Sequence, residues 1–328
     1  MTQMSFSDAE YAGKRKQTRR EIFLAEMEQT VPWETLRALI EPVYPKAGNG
    51  LRPYALETML RIELMQNWYS YSDPAMEEAL YEIAPLRCFT GLSLARGSVP
   101  DETTILNFRR LLETHGLAPK VLASINAYLS DKGLLRLRQG TIVDAAIIHA
   151  APSTKNKAKA RDPEMHQTRK GQQWYFGMKA HIGVDVEGGV VHTVTTTAAN
   201  VADVAEIGNL LHGKEKTVYV DAGIFGADKR EGMTKHGRTW HIAAKRGRIK
   251  AMLEGEEKDA AKHVEHMKAA VRSKVEHPFR VIKRQFGYQK VRFKGLAKNT
   301  AQILTLFALS NLWMARRSLL INAGDVCP

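Results

Sequence analysis

The sequence predicts an all-α N-terminal region followed by an α/β region built on a mixed five-stranded sheet. Between residues 54 and 132, apolar residues recur at the spacing of amphipathic helices. From Gly140 onward, short β-branched stretches alternate with turn residues, which is typical of strands. These stretches follow the order β-β-β-α-β-α-β-α, and this order predicts a mixed sheet with helices.

The charge of the chain favours a polyanionic partner. Its 328 residues include 48 Lys and Arg against 35 Asp and Glu, a formal net charge of +13. Each phosphate that a basic surface neutralises releases a condensed counterion, so nucleic acid is the expected partner. A basic protein that is merely soluble is the alternative, and charge alone leaves it open.

Cysteine content and hydropathy restrict the compartment. Cys88 and Cys327 are the only cysteines, which excludes a disulfide framework and a cysteine-rich zinc site. The first 20 residues lack the apolar core of a secretory signal. The longest apolar stretch, 303–314, is too short to cross a bilayer. We therefore expect a cytoplasmic protein without membrane residence, associated with the nucleoid when bound to DNA.

The N-terminal half is predicted to be helical. A basic arm and a helix over 20–29 precede a linker rich in Pro and Gly at 42–53. A buried helical stripe then follows, and Ser72 or Asp73 caps the next helix. Asp101 is the expected N-cap of a third helix, which carries Arg109 and Arg110. Short helices with paired arginines fit a helix-turn-helix-like DNA reader, and an ordinary helical bundle fits them equally well.

The C-terminal half supplies the strands. A Lys- and Arg-rich loop that includes Arg169 and Lys170 is predicted after the first strand, in contact with the DNA backbone. The strands are expected at 141–150, 174–186, 190–200, 216–223 and 238–245, with helices at 203–212 and 226–236. The predicted domains are 1–53 (arm and linker), 54–137 (helical, DNA-binding), 138–297 (catalytic, with an insertion at 246–263) and 298–328 (a helix covering the sheet).

Two aspartates lie in strand contexts that favour function. Asp144 interrupts an apolar strand, where a carboxylate is costly unless it is paired or binds a cation. Asp221 ends a strand before Ala-Gly, a position where a turn-forming Asp is equally common. In the predicted order the first and fourth strands lie side by side, so the two carboxylates are expected to face each other. Asp185 and Asp203 are interpreted as a turn residue and a first-turn helix residue.

A third acid lies in the basic stretch 265–295. Arg272, Glu276 and Lys283 are spaced by four and seven residues, which places them on one helical stripe. A solvated ladder of ion pairs is one interpretation, and a metal ligand flanked by phosphate-binding groups is the other. Pro278 predicts a kink or a helix start within the stripe. With Asp144 and Asp221, the glutamate would supply three hard oxygen ligands suited to Mg²⁺ or Mn²⁺.

Several motifs together resemble the bacterial insertion-sequence transposases of the DDE type, in the group named for insertion sequence five. The resemblance covers nearly the whole chain. It is carried by RPYALETMLRIELMQNWYSYSDPAMEEALYE, VPDETTILNFRRLLE, GTIVDAAII, FGMKAHIGVD, TTTAAN, VDAG and VEHPFRVIKRQFG. The chain departs from the usual pattern at three positions: Ala269 replaces a Tyr, Ile224 replaces a Tyr after VDAG, and Ala202 replaces a His.

This resemblance implies a ribonuclease-H-like catalytic domain with a metal-binding triad at Asp144, Asp221 and Glu276, holding two Mg²⁺ or Mn²⁺ ions. It further implies a transposase that cleaves the ends of its element and joins the 3′-hydroxyl to target DNA. The expected partner is double-stranded DNA, both the terminal inverted repeats and the target, bound by a homodimer or a larger assembly. The remaining candidate DNA-binding residues are Arg272, Lys283, Lys179 and His181.

Two alternatives stay open at this point. One is a catalytically silent DNA-binding protein derived from a transposase. The other is a metal-dependent nuclease that cuts without strand transfer. Retention of all three acids favours an enzyme over the silent protein.

Overall fold

The computed structural model describes residues 16–322 with gaps at 49–51, 96, 158, 225 and 230–236. The chain forms two compact units, a helical unit of residues 1–125 and 312–328 and a sheet unit of residues 126–311. The division into four domains predicted from the sequence remains a prediction. Parts of the predicted basic arm and of the helix over 226–236 lie outside the described residues, as does the end of the last domain.

The helical unit begins with a run of short helices whose ends are capped. Ser72 accepts a hydrogen bond from the backbone N–H of Ala75, and Asp101 accepts one from Thr104 at 2.7 Å. Both N-caps confirm the predicted helix starts. The helices are α1 Arg19–Thr30, α2 Trp33–Ile40, α3 Leu56–Tyr69, α4 Asp73–Glu82, α5 Ala84–Thr90, α6 Glu102–Thr114 and α7 Leu117–Asp131.

Helix α3 is the buried centre of this unit. Its predicted apolar stripe is confirmed, since Met59, Leu60, Leu64 and Trp68 are all buried. The opposite side of α3 is also covered: Arg61 is buried, with its guanidinium 4.3 Å from the ring centre of Trp33. A charged group in this position is stabilised by its ion pairs with two glutamates of the same unit, Glu28 and Glu57.

The sheet unit contains six strands, β1 Thr141–His149, β2 His166–Lys170, β3 Gln173–Asp185, β4 Val191–Ala198, β5 Thr217–Val220 and β6 Thr239–Ile242. Its helices are α8 Asp203–Leu210, α9 Arg246–Lys250, α10 Glu256–Arg272 and α11 Glu276–Arg280. The long helix α12 comprises Leu296–Asn322.

The sheet is mixed, as predicted. Strand β3 runs antiparallel to β1, and β1 runs parallel to β5, which in turn runs parallel to β6. Strand β4 pairs antiparallel with the second part of β3. The adjacency of β1 and β5 confirms that the first and fourth predicted strands are neighbours. It brings together the segments that carry the two aspartates.

The prediction of five strands was wrong by one. The loop predicted after β1 contains β2, which pairs antiparallel with residues 173–177 of β3. Its sequence, HQTRK, has no apolar residue, so neither alternation nor β-branched enrichment indicates a strand. The turn is two residues long, and Gly171 supplies the positive φ of +64° that such tight hairpins require.

The turn after β3 was predicted correctly. Asp185 accepts a hydrogen bond from the backbone N–H of Gly188 at 2.6 Å, which closes the hairpin to β4. Further along the chain, Asn311 of α12 bonds to both the N–H and the carbonyl of Val191 on β4. The amide that interrupts this apolar helix therefore satisfies strand backbone.

The stretch around the predicted third acid is helical with a changing pitch. Helix α10 passes into a 3₁₀ turn over 273–275, then into α11, and then into a π-helical turn over 281–285. The irregularity surrounds Pro278, which has no N–H to donate and was expected to distort the helix. Among the described residues, no helix is both long and apolar enough to cross a membrane.

Candidate functional site

The two aspartates occupy the same face of the sheet. Val143 and Val220 belong to a core cluster with Ile207 and Leu210 of α8, so they point toward α8. Side chains alternate along a strand, and the residues that follow these valines therefore point to the other face. Asp144 and Asp221 are those residues. Helix α10 and the 3₁₀ turn after it contact β5 and β1.

The register of the two parallel strands brings these aspartates level with each other. Ile142 of β1 lies opposite Tyr219 of β5. Two residues further along each chain, Asp144 and Asp221 are close enough for the charge of Asp221 to raise the pKa of Asp144. Neighbouring strands are about 4.8 Å apart. Two carboxylates therefore meet at the edge of the sheet where the parallel strands end.

The pKa of the Asp144 carboxyl is raised above its ordinary value. Burial raises its pKa, and the nearby charge of Asp221 raises it further. The backbone N–H of Ala145, 2.8 Å from Oδ1, and the Arg272 guanidinium act in the opposite direction. Burial beside a like charge is the environment that favours either a proton or a cation at a carboxylate.

Arg272 is the counterion within this group. Its Nη2 lies 3.1 Å from Oδ1 of Asp221. The arginine side chain is largely buried, whereas that of Asp221 is 54% exposed. The Nε of Arg272 is buried without a hydrogen-bond partner among the described residues. The guanidinium thus retains a donor beyond its ion pair, and the exposed carboxylate remains open to a ligand.

Two lysines complete the electrostatics. Lys283 donates to the carbonyl oxygen of Ile147 on β1 at 3.4 Å. Burial lowers the pKa of its ammonium, and the charge of Lys170 lowers it further, while Asp144 opposes both. Lys170, on the exposed strand β2, also acts on Asp144. The structure therefore gathers Asp144, Asp221, Arg272, Lys283 and Lys170 in one region.

Glu276 is not drawn into the carboxylate pair. It is the first residue of α11 and is exposed. Within the described ranges, no three acidic, His or Cys side chains converge closely enough to hold a metal ion. The spacing of Arg272 and Glu276 predicted a common helical face, but the chain between them is a 3₁₀ turn, which advances more per residue than an α-helix.

The donor set of the aspartate pair fits a hard divalent cation. Two adjacent carboxylates supply anionic oxygens, the ligands that Mg²⁺ and Mn²⁺ prefer. Burial raises the pKa of Asp144, and the half-exposed Asp221 carboxylate remains accessible to a ligand. Two protein ligands with open positions are compatible with a cation that also binds a phosphate.

Lys179 and His181 share one strand face, as predicted, but it is the face opposite Asp144. Lys179 donates to Asp203 at 2.8 Å and to the carbonyl oxygen of Val201 at 2.7 Å. His181 is buried, hydrogen-bonded to Thr197, and 3.8 Å from Asp203. These internal contacts give the predicted DNA-binding role of both side chains no support.

The arginines differ in their availability. Arg109 is held by Asp73, with its Nη2 2.7 Å from Oδ2, so its charge serves the helical unit. Arg110 is exposed on the same helix. Arg169 is exposed on β2, where its Nε donates to the carbonyl oxygen of Gly171. Arg110 and Arg169 thus remain accessible cations.

Sequence reasoning missed two relationships. Asp203 begins α8 as expected, yet its role as the partner of Lys179 follows only from the pairing of β3 with β4. The effect of the Lys170 charge, which lowers the pKa of Asp144, could not be predicted either, because the strand that carries this lysine has no apolar pattern. A two-residue turn with Gly171, followed by aromatic residues, was the available signal for that strand.

Comparison with known families places this site in context. The family model described as "Transposase DDE domain" matches residues 135–312. The model described as "Transposase domain (DUF772)" matches residues 12–111. No solved structure matches the chain. The first match covers more than half of the 328 residues and includes all three predicted acids. The chain therefore belongs to the DDE transposase family.

Proposed function

We propose that this DDE transposase cleaves DNA at the ends of an insertion element and joins the freed 3′-hydroxyl to target DNA. The observation that carries the proposal is the register of β1 and β5, which sets Asp144 beside Asp221 next to a buried arginine. We further propose membership of the insertion-sequence-five group, for which the sequence motifs are the support.

A ribonuclease-H-like fold is part of this proposal. Its support is the path of the sheet, in which β4, β3 and β1 are successively antiparallel and β5 and β6 continue in parallel from β1. This arrangement puts the first two acids on neighbouring strands. The third acid, Glu276, lies at the start of α11, four residues after Arg272. We propose that it joins the two aspartates when metal and DNA are bound.

Asp144, Asp221 and Glu276 would hold two Mg²⁺ or Mn²⁺ ions. Bound there, the ions would activate the attacking oxygen and stabilise the leaving oxygen of a phosphodiester. Arg272 has a donor to spare and would bind a non-bridging phosphate oxygen. Lys283 and Lys170 would add positive charge as negative charge accumulates on the phosphorus oxygens.

The reaction then has two phosphoryl transfers. A water oxygen bonds to phosphorus at the element end, the bond from phosphorus to the 3′-oxygen breaks, and the 3′-oxygen receives a proton. That 3′-oxygen next attacks a target phosphodiester, and the target's own 3′-oxygen leaves. No covalent bond to the protein forms in either step. Because the two ends of the element must be held together as a pair, we propose at least a dimer on DNA.

The test uses the full chain, DNA that contains the sequence flanking its gene, and either metal. We expect nicking and joining to a supercoiled plasmid, both lost in Asp221→Asn. Asp131→Asn, at the exposed end of α7, is the matched control and should keep full activity. Cutting without joining would replace the proposal with the nuclease. Binding without chemistry in either metal would replace it with the silent DNA-binding protein.

A further inference from the structure

The hairpin of β2 and β3 carries an exposed tryptophan that the catalytic proposal does not use. Trp174 is 63% exposed, whereas the other four tryptophans of the chain are buried or half-buried. Its neighbours along β3 are packed: Tyr175 contacts His149, and the guanidinium of Arg161 lies over Phe176. Within the described part of the chain, no ring or guanidinium covers Trp174.

This hairpin, residues 166–177, is named here the ribbon. Four of the five residues of β2 are exposed, so the ribbon gains little from burial. An isolated two-stranded hairpin is marginally stable in water, and an apolar ring at its surface adds nothing to that stability. The exposed ring is therefore available to a ligand.

The ribbon leaves the sheet at the edge that holds the carboxylates. His149, at the end of β1, pairs with Gly177 at the base of the ribbon. Side-chain alternation puts Trp174 on the same face of β3 as Ile182, and Ile182 lies directly opposite Asp144. The tryptophan thus belongs to the carboxylate face and not to the face that packs on α8.

The base of the ribbon is closely packed against β1. At the base of the ribbon, Gly177 has no room for a side chain, because a Cβ there would overlap the carbonyl oxygen of Ile148.

The charge of the ribbon indicates the ligand. Arg169 is the cross-strand partner of Trp174 and shares its face of the ribbon, whereas Lys170 is paired with Gln173 on the other face; both cations are exposed. An aromatic ring beside a cation is the combination by which proteins bind single-stranded nucleic acid, since bases stack on the ring while phosphates contact the charge. An acidic or apolar protein partner would match only one half of this surface.

We propose that the ribbon binds unpaired DNA and that Trp174 stacks on a nucleobase on the sheet face that carries Asp144 and Asp221. The inference rests on the proposed function only in identifying these carboxylates as the site of strand cleavage. Stacking would hold a base that has left its pair at the element end.

The experiment measures the affinity of the full chain for a fluorescent twelve-nucleotide oligo(dT) and for a 20-base-pair duplex, by anisotropy without divalent metal. Trp174→Ala should weaken oligo(dT) binding about 10-fold, the loss of one stacked base, and should leave duplex binding unchanged. Trp174→Phe should keep most of the affinity. Leu253→Ala removes an apolar side chain that is 91% exposed outside the ribbon, and it should change neither affinity.

Three outcomes would overturn the inference. They are unchanged oligo(dT) affinity in Trp174→Ala, an equal loss on the duplex, and a change in the mass of the free protein with DNA affinity intact, which would assign the ring to a second copy of the chain. Trp174→Phe covers the case in which the alanine variant fails to fold.

The same proteins separate this inference from the proposed function. Wild type that cleaves and joins DNA, together with a Trp174→Ala variant that binds oligo(dT) normally, refutes the stacking alone. Tryptophan-dependent oligo(dT) binding without metal-dependent cleavage refutes the proposed catalysis and supports the stacking.

Discussion

Each face of the sheet carries a polar cluster of acidic and basic side chains. The two clusters differ in how far their members satisfy one another. On the face toward α8, Lys179 and His181 meet Asp203, and each of the basic side chains has a hydrogen-bond partner. On the other face, two aspartates share Arg272. The first cluster is complete without any ligand, whereas in the second the pKa of the Asp144 carboxyl is raised by burial and the Asp221 side chain is 54% exposed.

The comparison distinguishes a structural cluster from a chemical one. A satisfied polar cluster stabilises the fold, and removing a member leaves the others buried without a partner. A carboxyl whose charged form is disfavoured by burial and by a neighbouring carboxylate costs stability, and such groups are found at binding and catalytic sites. If the two faces differ in this way, substitutions on one should change stability and substitutions on the other should change activity.

The largest expected effect is on catalysis. Asp144→Asn should lower metal-dependent DNA cleavage about a thousandfold, because several kcal/mol of cation-mediated stabilisation of the transition state is lost. Cleavage rates with saturating Mg²⁺ measure it. Asp203→Asn, on the opposite face, is the matched substitution and should retain cleavage in its folded fraction. Equal losses in both variants would erase the distinction between the faces.

On the α8 face the expected effect is on stability. Lys179→Met removes two hydrogen bonds and leaves Asp203 without its ion pair, so the free energy of unfolding should fall by about 2 kcal/mol. Urea unfolding followed by circular dichroism measures this loss. Lys214→Met, at an exposed position of the same unit, should leave the midpoint unchanged. An unaltered midpoint in Lys179→Met would show that this cluster is not structural.

Stability should also fall with acidity, through His192. Burial lowers the pKa of this histidine to about 3, and the nearby His212 contributes to the shift. The unfolded state, with a pKa near 6.5, then binds the proton first, so stability is complete above pH 6.5 and declines as the pH falls toward 3. At pH 5 the loss is about 2 kcal/mol.

Urea midpoints between pH 7.5 and 5 measure this decline. His192→Gln keeps a polar side chain at the position without the titration, so its midpoint should vary less over the same range. A parallel decline in wild type and variant would assign the effect to other groups.

The smallest expected effect has the opposite sign. Burial and Asp221 both disfavour the charged form of Asp144, so Asp144→Asn should raise the free energy of unfolding of the metal-free protein by about 1 kcal/mol at neutral pH. Chemical denaturation in EDTA measures it, with Asp131→Asn as the surface control. A clear decrease would mean that the Asp144 carboxylate is already well compensated.

Much of the fold follows from local patterns in the sequence. Asp101 and Ser72 begin helices because their side-chain oxygens bind the free N–H groups of a first turn, a contact that needs no tertiary partner. The adjacency of β1 and β5 followed from the order of the elements. The distortion after Arg272 was expected from Pro278, although its form, a 3₁₀ turn before the proline and a π turn after it, was not.

Where prediction failed, the information lay in the tertiary structure. Strand β2 is stabilised by pairing with β3 and not by an apolar pattern of its own. Alternation along the strand correctly placed Lys179 and His181 on one face. Which face that is depends on the packing of α8 and could not be predicted. The Asp144–Asp221 pair was predicted because parallel pairing fixes it. The position of Glu276 was not, because it depends on the local helical pitch.

The contact between Arg272 and Asp221 has a consequence for the protein when no metal is bound. A chain that must keep two carboxylates adjacent while no divalent ion is at hand needs an internal substitute, and the guanidinium provides one. Under the proposed function, folding would not depend on metal supply. Loading an ion would exchange one cation for another, and the displaced arginine would be free to bind a DNA phosphate.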